Sequence, residues 1–460
     1  MSPQPEPNAA PQRSAPGVGR REFLLGAGAA VVAGWTAVGT APVHAGPRFA
    51  PVDQFDADVP TAWFDLALDL VRTTPGYSPP VASRALGYAG VALFEALVPG
   101  MDGYRPLAGL LAGLGRPPAA GRNNAYHWPT VANATLAAIL RHLFPTAPAD
   151  QRSALDTLEN TFADRDRPAL PPGVFARSTR RGQDVAAAIF DWSRTDGGHE
   201  GYLRNFPPYD PPAGPGQWEP TPPQFQPALQ PHWGANRCLA LPTGAACPPG
   251  DHPSYSEDPA SAFHAEAVEV HEVVNNLTPE QEAIAQFWSD DPGTTPTPPG
   301  HSISIATQTL RDEKASLALA AEAYARVGMA ICDAFIACWH QKYAYNLLRP
   351  VTYIRRHIDP GWTPPLVTPP FPEYTSGHSV QSGAAFQVLT DLFGDGYAFV
   401  DHTHDDRGLA PRRFGSFLEA ADEAAISRLY GGIHFTAAIV NGITQGRCIG
   451  SHVSALPLRS

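Results

Sequence analysis

Residues 315–348 read ASLALAAEAYARVGMAICDAFIACWHQKYAYNLL. Apolar side chains recur there at three- and four-residue spacing, which predicts one long helix. Outward from it, the segments 62–74, 81–98, 129–144, 174–193, 262–274, 279–289, 379–393, 417–430 and 434–449 carry the same period. No set of alternating strands able to build a sheet is visible. The chain therefore reads as all-α, its helices packed as bundles. Residues 205–260 turn Pro-rich, with Trp218, Phe225 and Trp233 but few periodic apolar positions. A loop that long inside a compact domain is functional or a linker. The expected organisation is a helical half over 46–204, an irregular wrap over 205–260 and a second helical half over 261–460.

The long helix ends in chemistry. Lys342 and Arg349 stand seven residues apart, two helical turns, so both cations are expected on one face, with Pro350 helping to end the helix. Burying two cations on an apolar helix is costly unless an anion neutralises them. A second cluster, Tyr374-Thr375-Ser376-Gly377-His378-Ser379, opens the next helix. It offers a hydroxyl, free backbone N–H groups and the positive end of a dipole, although such residues taken alone are most often caps. A third cluster runs from Ser427-Arg428 through Gly431-Gly432 to His434. On a continuous helix Arg428 and His434 would point about 120° apart. The glycine pair breaks that helix and lets them converge.

These cations stand out against an acidic background. The 460 residues carry 32 Lys+Arg and 44 Asp+Glu, a formal charge of -12. Such a surface repels nucleic acid and anionic membrane, so neither is expected as a partner. Any anion must be held by local cations against the global field. No Gly-rich phosphate loop precedes a Lys-Ser/Thr pair and no G-x-S-x-G elbow is present, so nucleotide binding and serine hydrolysis have no support.

The three clusters, in this order and at these distances, resemble the signature shared by type 2 phosphatidic acid phosphatases and vanadium haloperoxidases. The segment from Pro220 to Gly234 and the loop from Asp401 to Gly408 are similar to bacterial haloperoxidase-type sequences. The resemblance implies two packed helical bundles and a vanadate cofactor, in a site that phosphate could also occupy. It implies that His434 ligates vanadium, that Lys342, Arg349 and Arg428 neutralise the equatorial oxygens, and that Ser376 and the Gly377 N–H complete the cradle. His378 would be the acid–base group. Trp339 and Phe371 match aromatics beside the halide in fungal-type chloroperoxidases, although ordinary core packing explains them equally well. Asp291 is the implied partner of Arg428, with Asp290 the neighbouring alternative.

The implied activity is oxidation of halide by hydrogen peroxide, with a small organic molecule as a further acceptor. An exported acid phosphatase using His434 as nucleophile is the alternative, and a non-catalytic oxyanion binder a third. Two departures matter. Thr375 replaces the usual Pro, and Ala438 stands where many relatives carry an Asp that orients the histidine; a backbone carbonyl could take over that role. Relatives of this kind often form homo-oligomers.

Outside the clusters, Arg20-Arg21 followed by a weakly hydrophobic run to about Thr40 and then Val43-His44-Ala45 resembles a twin-arginine export signal over residues 1–45. Export to an oxidising compartment, with no membrane anchor after processing, is the expectation. Cys238 and Cys247 flank a short loop and are candidates for a disulfide, whereas Cys332, Cys338 and Cys448 read as buried thiols. His264 and His271, seven residues apart, share a face of a helix that also carries Glu266, Glu269 and Glu272, and it reads as a solvated face before a metal site. The run Asp401-His402-Thr403-His404-Asp405-Asp406 is a denser set of ligands for calcium or zinc, but reads first as a polar surface loop.

Overall fold

A computed structural model describes residues 50–121 and 124–459, so the expected export segment lies outside the described residues. Among them are thirteen α-helices. The first five are α1 (Asp58–Thr73), α2 (Pro79–Leu97), α3 (Trp128–Leu143), α4 (Ala149–Asp166) and α5 (Pro172–Ser193). Next come α6 (Ala262–Asn275), α7 (Pro279–Phe287), α8 (Thr297–Asp312), α9 (Leu317–Tyr345) and α10 (Pro350–His357). The last are α11 (Gly377–Phe393), α12 (Phe417–Tyr430) and α13 (Thr436–Ser454). A two-stranded antiparallel ribbon, β1 (Phe399–Asp401) with β2 (Arg412–Phe414), lies between α11 and α12. The fold is all-α.

Helix α9 is the axis of the molecule. Ser316 caps its start by accepting the Leu319 N–H, and its residues are buried almost continuously from Leu317 to Lys342. It packs on α2 on one side and on α11 and α13 on the other, so one helix serves both bundles. The closest seams need glycine. A Cβ on Gly90 of α2 would collide with the Tyr324 carbonyl of α9, and one on Gly446 of α13 with the Val380 carbonyl of α11. Residues Pro79–Gly100, α2 and its following turn, are long and apolar enough to cross a membrane, yet that stretch is buried inside the protein.

The expected single helix through Arg349 does not form. Helix α9 stops at Tyr345, where Asn346 takes a left-handed φ of 48°. Arg349 is instead the extended N-cap of α10, and Pro350 starts that helix rather than ending one. Proline is tolerated at a first turn because the missing N–H has no intrahelical partner there. Helices α4, α8 and α10 had no clear period in the sequence. The first buries only Leu155, Phe162, Ala163 and Asp166, and the second hides behind its opening Thr297-Pro298-Pro299-Gly300.

The Pro-rich segment is held by α9 rather than by its own periodic structure. The buried carboxylate of Asp333 accepts the N–H groups of Leu239, Ala240 and Leu241 at 2.6, 2.8 and 2.8 Å. The disulfide expectation is corrected here. Cys247 pairs with Cys448 of α13, across 201 residues, while Cys238 is a buried free thiol. A Cys238–Cys247 bridge would have been a local loop closure; the tertiary fold gives Cys247 a nearer partner on another element.

Candidate functional site

Lys342 occupies the last turn of α9, wholly buried, and its ammonium donates to the carbonyls of Pro372 and Glu373 at 2.9 and 3.0 Å. Arg349 donates from Nε to Phe371 O at 2.8 Å and from Nη1 to Ile433 O at 2.7 Å. The same Nη1 stands 3.2 Å from His434 Nε2. Lys342 and Arg349, from different elements, thus close on the segment 371–373 and on His434. Arg428, in the last turn of α12, donates to Ser427 Oγ and to Ala285 O at 3.1 and 3.4 Å. Gly432 adopts φ +71°, letting α12 end and α13 begin, and His434 lies in that bend. All three cations are buried.

Ser376 is the N-cap of α11, accepting the Ser379 N–H, and Gly377 opens the helix. Nothing but Trp339 comes within ordinary contact of a Cβ placed on Gly377, at 3.8 Å, so there is open space beside this residue, which borders a cavity. His378, next along, hydrogen-bonds the Trp288 backbone and keeps a partnerless Nε2. Gly377, His378, Arg428, His434, Trp339 and Phe371 line one cavity of about 830 Å³. Trp339 and Phe371 meet there at 4.8 Å between ring centroids, with the Lys342 ammonium 5.0 Å and the Arg349 guanidinium 4.9 Å from the Phe371 ring.

The electrostatics describe three buried cations without an ion pair among the described residues. Burial drives the Lys342 ammonium down to about 7, and the arginines 349 and 428 to about 10. His378 and His434 lie well below their ordinary value, again through burial, with neighbouring arginines adding repulsion. Both are therefore neutral imidazoles. The expected Asp291–Arg428 contact is not a direct one: among the described residues Arg428 makes no ion pair. Both carboxylates act on it through charge, with Asp290 the stronger. Asp290 is committed to His301 and His404, and Asp291 is exposed.

One residue escaped the sequence reading. Glu373 is fully buried, and its Oε1 lies 2.8 Å from His434 Nδ1 and accepts the Phe435 N–H at 2.9 Å. It fixes the tautomer by accepting a hydrogen bond from Nδ1–H, leaving Nε2 as the lone-pair nitrogen beside Arg349. The orienting group missing at Ala438 is thus supplied from sixty-one residues upstream. The only signal was an acidic residue directly before the Tyr374–Ser379 cluster. Burial raises the Glu373 carboxyl to about 7 against the pull of Arg349 and Lys342.

Two other groups resolve differently from one another. His264 turns to the Tyr353 hydroxyl and Glu266 and Glu269 accept from Ala437 N and Thr436 Oγ1 at the start of α13, so that face braces the helix after His434. The 401–406 run is not simply a surface loop: His402, Asp405 and Asp406 are exposed, but Asp401 and His404 point inward and are buried.

Similarity to solved structures follows the same lines. A bacterial vanadium-dependent iodoperoxidase structure matches with a TM-score of 0.79 and 38% identity, over 87% of this chain and 96% of that one. The chain belongs to the vanadium-dependent haloperoxidase family. The profile of the VCPO second helical-bundle domain matches residues 322–458, the stretch that holds Lys342, Arg349, His378, Arg428 and His434. The vanadium chloroperoxidase of Curvularia inaequalis is 36% identical over 84 residues, a match spanning 15% of this chain and only 14% of that protein. A holo-type bacterial vanadium-dependent chloroperoxidase shares the fold, with a TM-score of 0.64 and 18% identity over 84% of this chain and 93% of that one.

Proposed function

We propose that the chain binds vanadate in this pocket and uses hydrogen peroxide to oxidise halide, giving hypohalous acid or a halogenated product. The observation that carries the reading is a set of buried polar groups short of partners: Arg349 Nη2 and His378 Nε2 have no hydrogen-bond partner, and among the described residues none of the buried Lys342, Arg349 and Arg428 makes an ion pair. A tetrahedral oxyanion fits that donor set, because guanidinium forks match its oxygens and the ammonium adds a point charge. Lys342, Arg349, Arg428, Ser376 and the Gly377 N–H would hold the oxygens, and His434 Nε2 would bind vanadium. Bound vanadate supplies a Lewis acid that makes peroxide electrophilic toward halide.

The chain's own residues do the rest. Glu373 holds His434 in the tautomer that can ligate. His378, a neutral cavity-lining residue with a partnerless Nε2, takes the peroxide proton and returns it to the departing oxygen. Trp339 and Phe371 provide a low-polarity wall for the halide. The apolar part of the cavity, with Leu229, Phe335 and Leu366, has room for an organic acceptor. Export is part of the same proposal, and the Cys247–Cys448 bridge supports it because disulfides persist in oxidising compartments.

A second reading, a phosphatase with His434 as nucleophile, gains from the Glu373–His434 pair, which could activate an attacking imidazole. Purified protein assayed for iodide and bromide oxidation with and without vanadate, and for phosphate release from a generic ester, separates the two. Vanadate-dependent halide turnover is expected. Ester cleavage inhibited by vanadate, with no halide turnover, would replace the first reading by the second.

A further inference from the structure

Against the pocket wall, which Asp290 itself helps to line, lies a second buried cluster that the vanadate chemistry does not use. Asp290 sits just after α7, His301 in α8, and Asp401 and His404 at and beyond β1; all four side chains are buried. His301 Nδ1 is 2.9 Å from Asp290 Oδ2, and His301 Nε2 is 2.7 Å from Asp401 Oδ2. His404 Nε2 approaches Asp290 Oδ1 at 3.2 Å. Those last two atoms nevertheless have no hydrogen-bond partner, since the imidazole is not aimed along a donor–acceptor line. One ligand atom each from Asp290, His301 and His404 fall within 4.8 Å of one another.

We propose that Asp290, His301 and His404 bind one divalent transition-metal ion, zinc by the chemistry of the donors, with Asp401 holding His301 from behind. Two imidazole nitrogens and a carboxylate oxygen suit zinc, whereas magnesium and calcium take oxygen donors. Each imidazole lies at ligand-to-ligand distance from one oxygen of the Asp290 carboxylate, His301 Nδ1 2.9 Å from Oδ2 and His404 Nε2 3.2 Å from Oδ1, close enough for all three side chains to meet one ion with bonds of about 2.0–2.2 Å. Asp401 completes the carboxylate–histidine–metal arrangement that fixes a ligating ring. It is itself oriented by the Thr403 hydroxyl and N–H, at 2.6 and 2.9 Å. Charge agrees: two buried carboxylates with neutral imidazoles balance one divalent cation. The ion would tie α8 and the β1 loop to the segment after α7, next to His378 and Arg428.

The experiment uses untagged, mature-length protein, because a polyhistidine tag binds the same metals. Elemental analysis after exhaustive dialysis is expected to show zinc near one equivalent per chain, counted separately from vanadium. Cobalt exchanged into the site should give visible d–d absorption, and both zinc and cobalt should be lost at acid pH as the imidazoles protonate. Asp401→Asn should weaken zinc binding roughly 10–100-fold, and His404→Ala should abolish the cobalt spectrum. If His404→Ala fails to fold, His404→Gln and the wild-type cobalt titration carry the test. Metal-free protein with unchanged thermal stability on adding zinc, and no cobalt spectrum, overturns the proposal. The cluster would then be held by a proton: burial lowers the His301 pKa, but Asp290 and Asp401 outweigh it and carry it up to about 10. Neither result depends on halide or peroxide, so failure here leaves the vanadate reading standing.

Discussion

Two buried clusters face each other across His378 and Arg428, and they err in opposite directions. Around the cavity, Lys342 and Arg349 are set against the carboxylate of Glu373, and Arg428 feels Asp290 and Asp291 through charge alone. Behind it, Asp290 and Asp401 are set against two imidazoles. Both sets of side chains are buried, where an unmatched charge costs several kcal/mol. The cationic cluster reaches the cavity through Arg428, and the anionic one touches its wall through Asp290 while His301, Asp401 and His404 stay buried behind it. An exchangeable anion suits the first and a resident cation the second. The contrast teaches that a sign of charge excess, together with access, reads out ligand type where the ligand itself is not seen.

The comparison breaks most readily at the histidines. His434→Ala is expected to abolish vanadate-dependent halide oxidation, and His378→Ala to lower kcat roughly 10²–10⁴-fold; retained turnover in a steady-state assay would mean the pocket is not the site. Next in size, Glu373→Gln should weaken vanadate binding roughly 10–100-fold by spoiling the tautomer of His434. Vanadate titration by calorimetry reads this directly, and unchanged affinity would reduce Glu373 to a packing role.

Stability sharpens the contrast further. Because the folded-state pKa of Lys342 falls from 10.5 to about 7, the unfolded chain binds the proton more tightly between those values. The contribution of Lys342 therefore favours the anion-free protein increasingly as pH rises from about 7 towards 10. A bound oxyanion holds the ammonium charged, so phosphate or vanadate should stabilise most near pH 7 and least near pH 10. At about a hundredfold excess over Kd the neutral-pH gain is about 2.7 kcal/mol. Tm measured against pH with and without phosphate tests it; a shift independent of pH would contradict the role given to Lys342. The smallest effect belongs to Asp291→Asn. An exposed carboxylate without a direct contact to Arg428 is worth about 1 kcal/mol or less, so vanadate affinity should change only a few-fold. A larger loss would restore Asp291 as the partner the family resemblance implied.

Much of this was legible in the letters. The 3.6-residue period gave the core helices, and the cations and histidines of the pocket were named by three local motifs. The convergence of Arg428 and His434 could be expected from Gly431-Gly432. What failed did so for local reasons. Lys342 and Arg349 were expected on one helix, but Asn346 stops α9 and Pro350 starts α10. Helix α8 was hidden by Pro298, Pro299 and Gly300, and with it His301. Glu373 looked like any acidic residue before a turn.

By itself the sequence determined what depends on neighbours along the chain: which segments are helical, where a helix can be capped or broken, and which side chains can carry a proton or an anion. Only the tertiary structure decided pairings across long separations: Cys247 with Cys448, Glu373 with His434, and Asp290 with His301, His404 and Asp401 on three elements. The physical reason is that burial sets the cost of a charge or an unpaired donor, and burial is a property of packing, not of spacing. An Asp-His run reads as solvated until the fold turns two of its side chains inward.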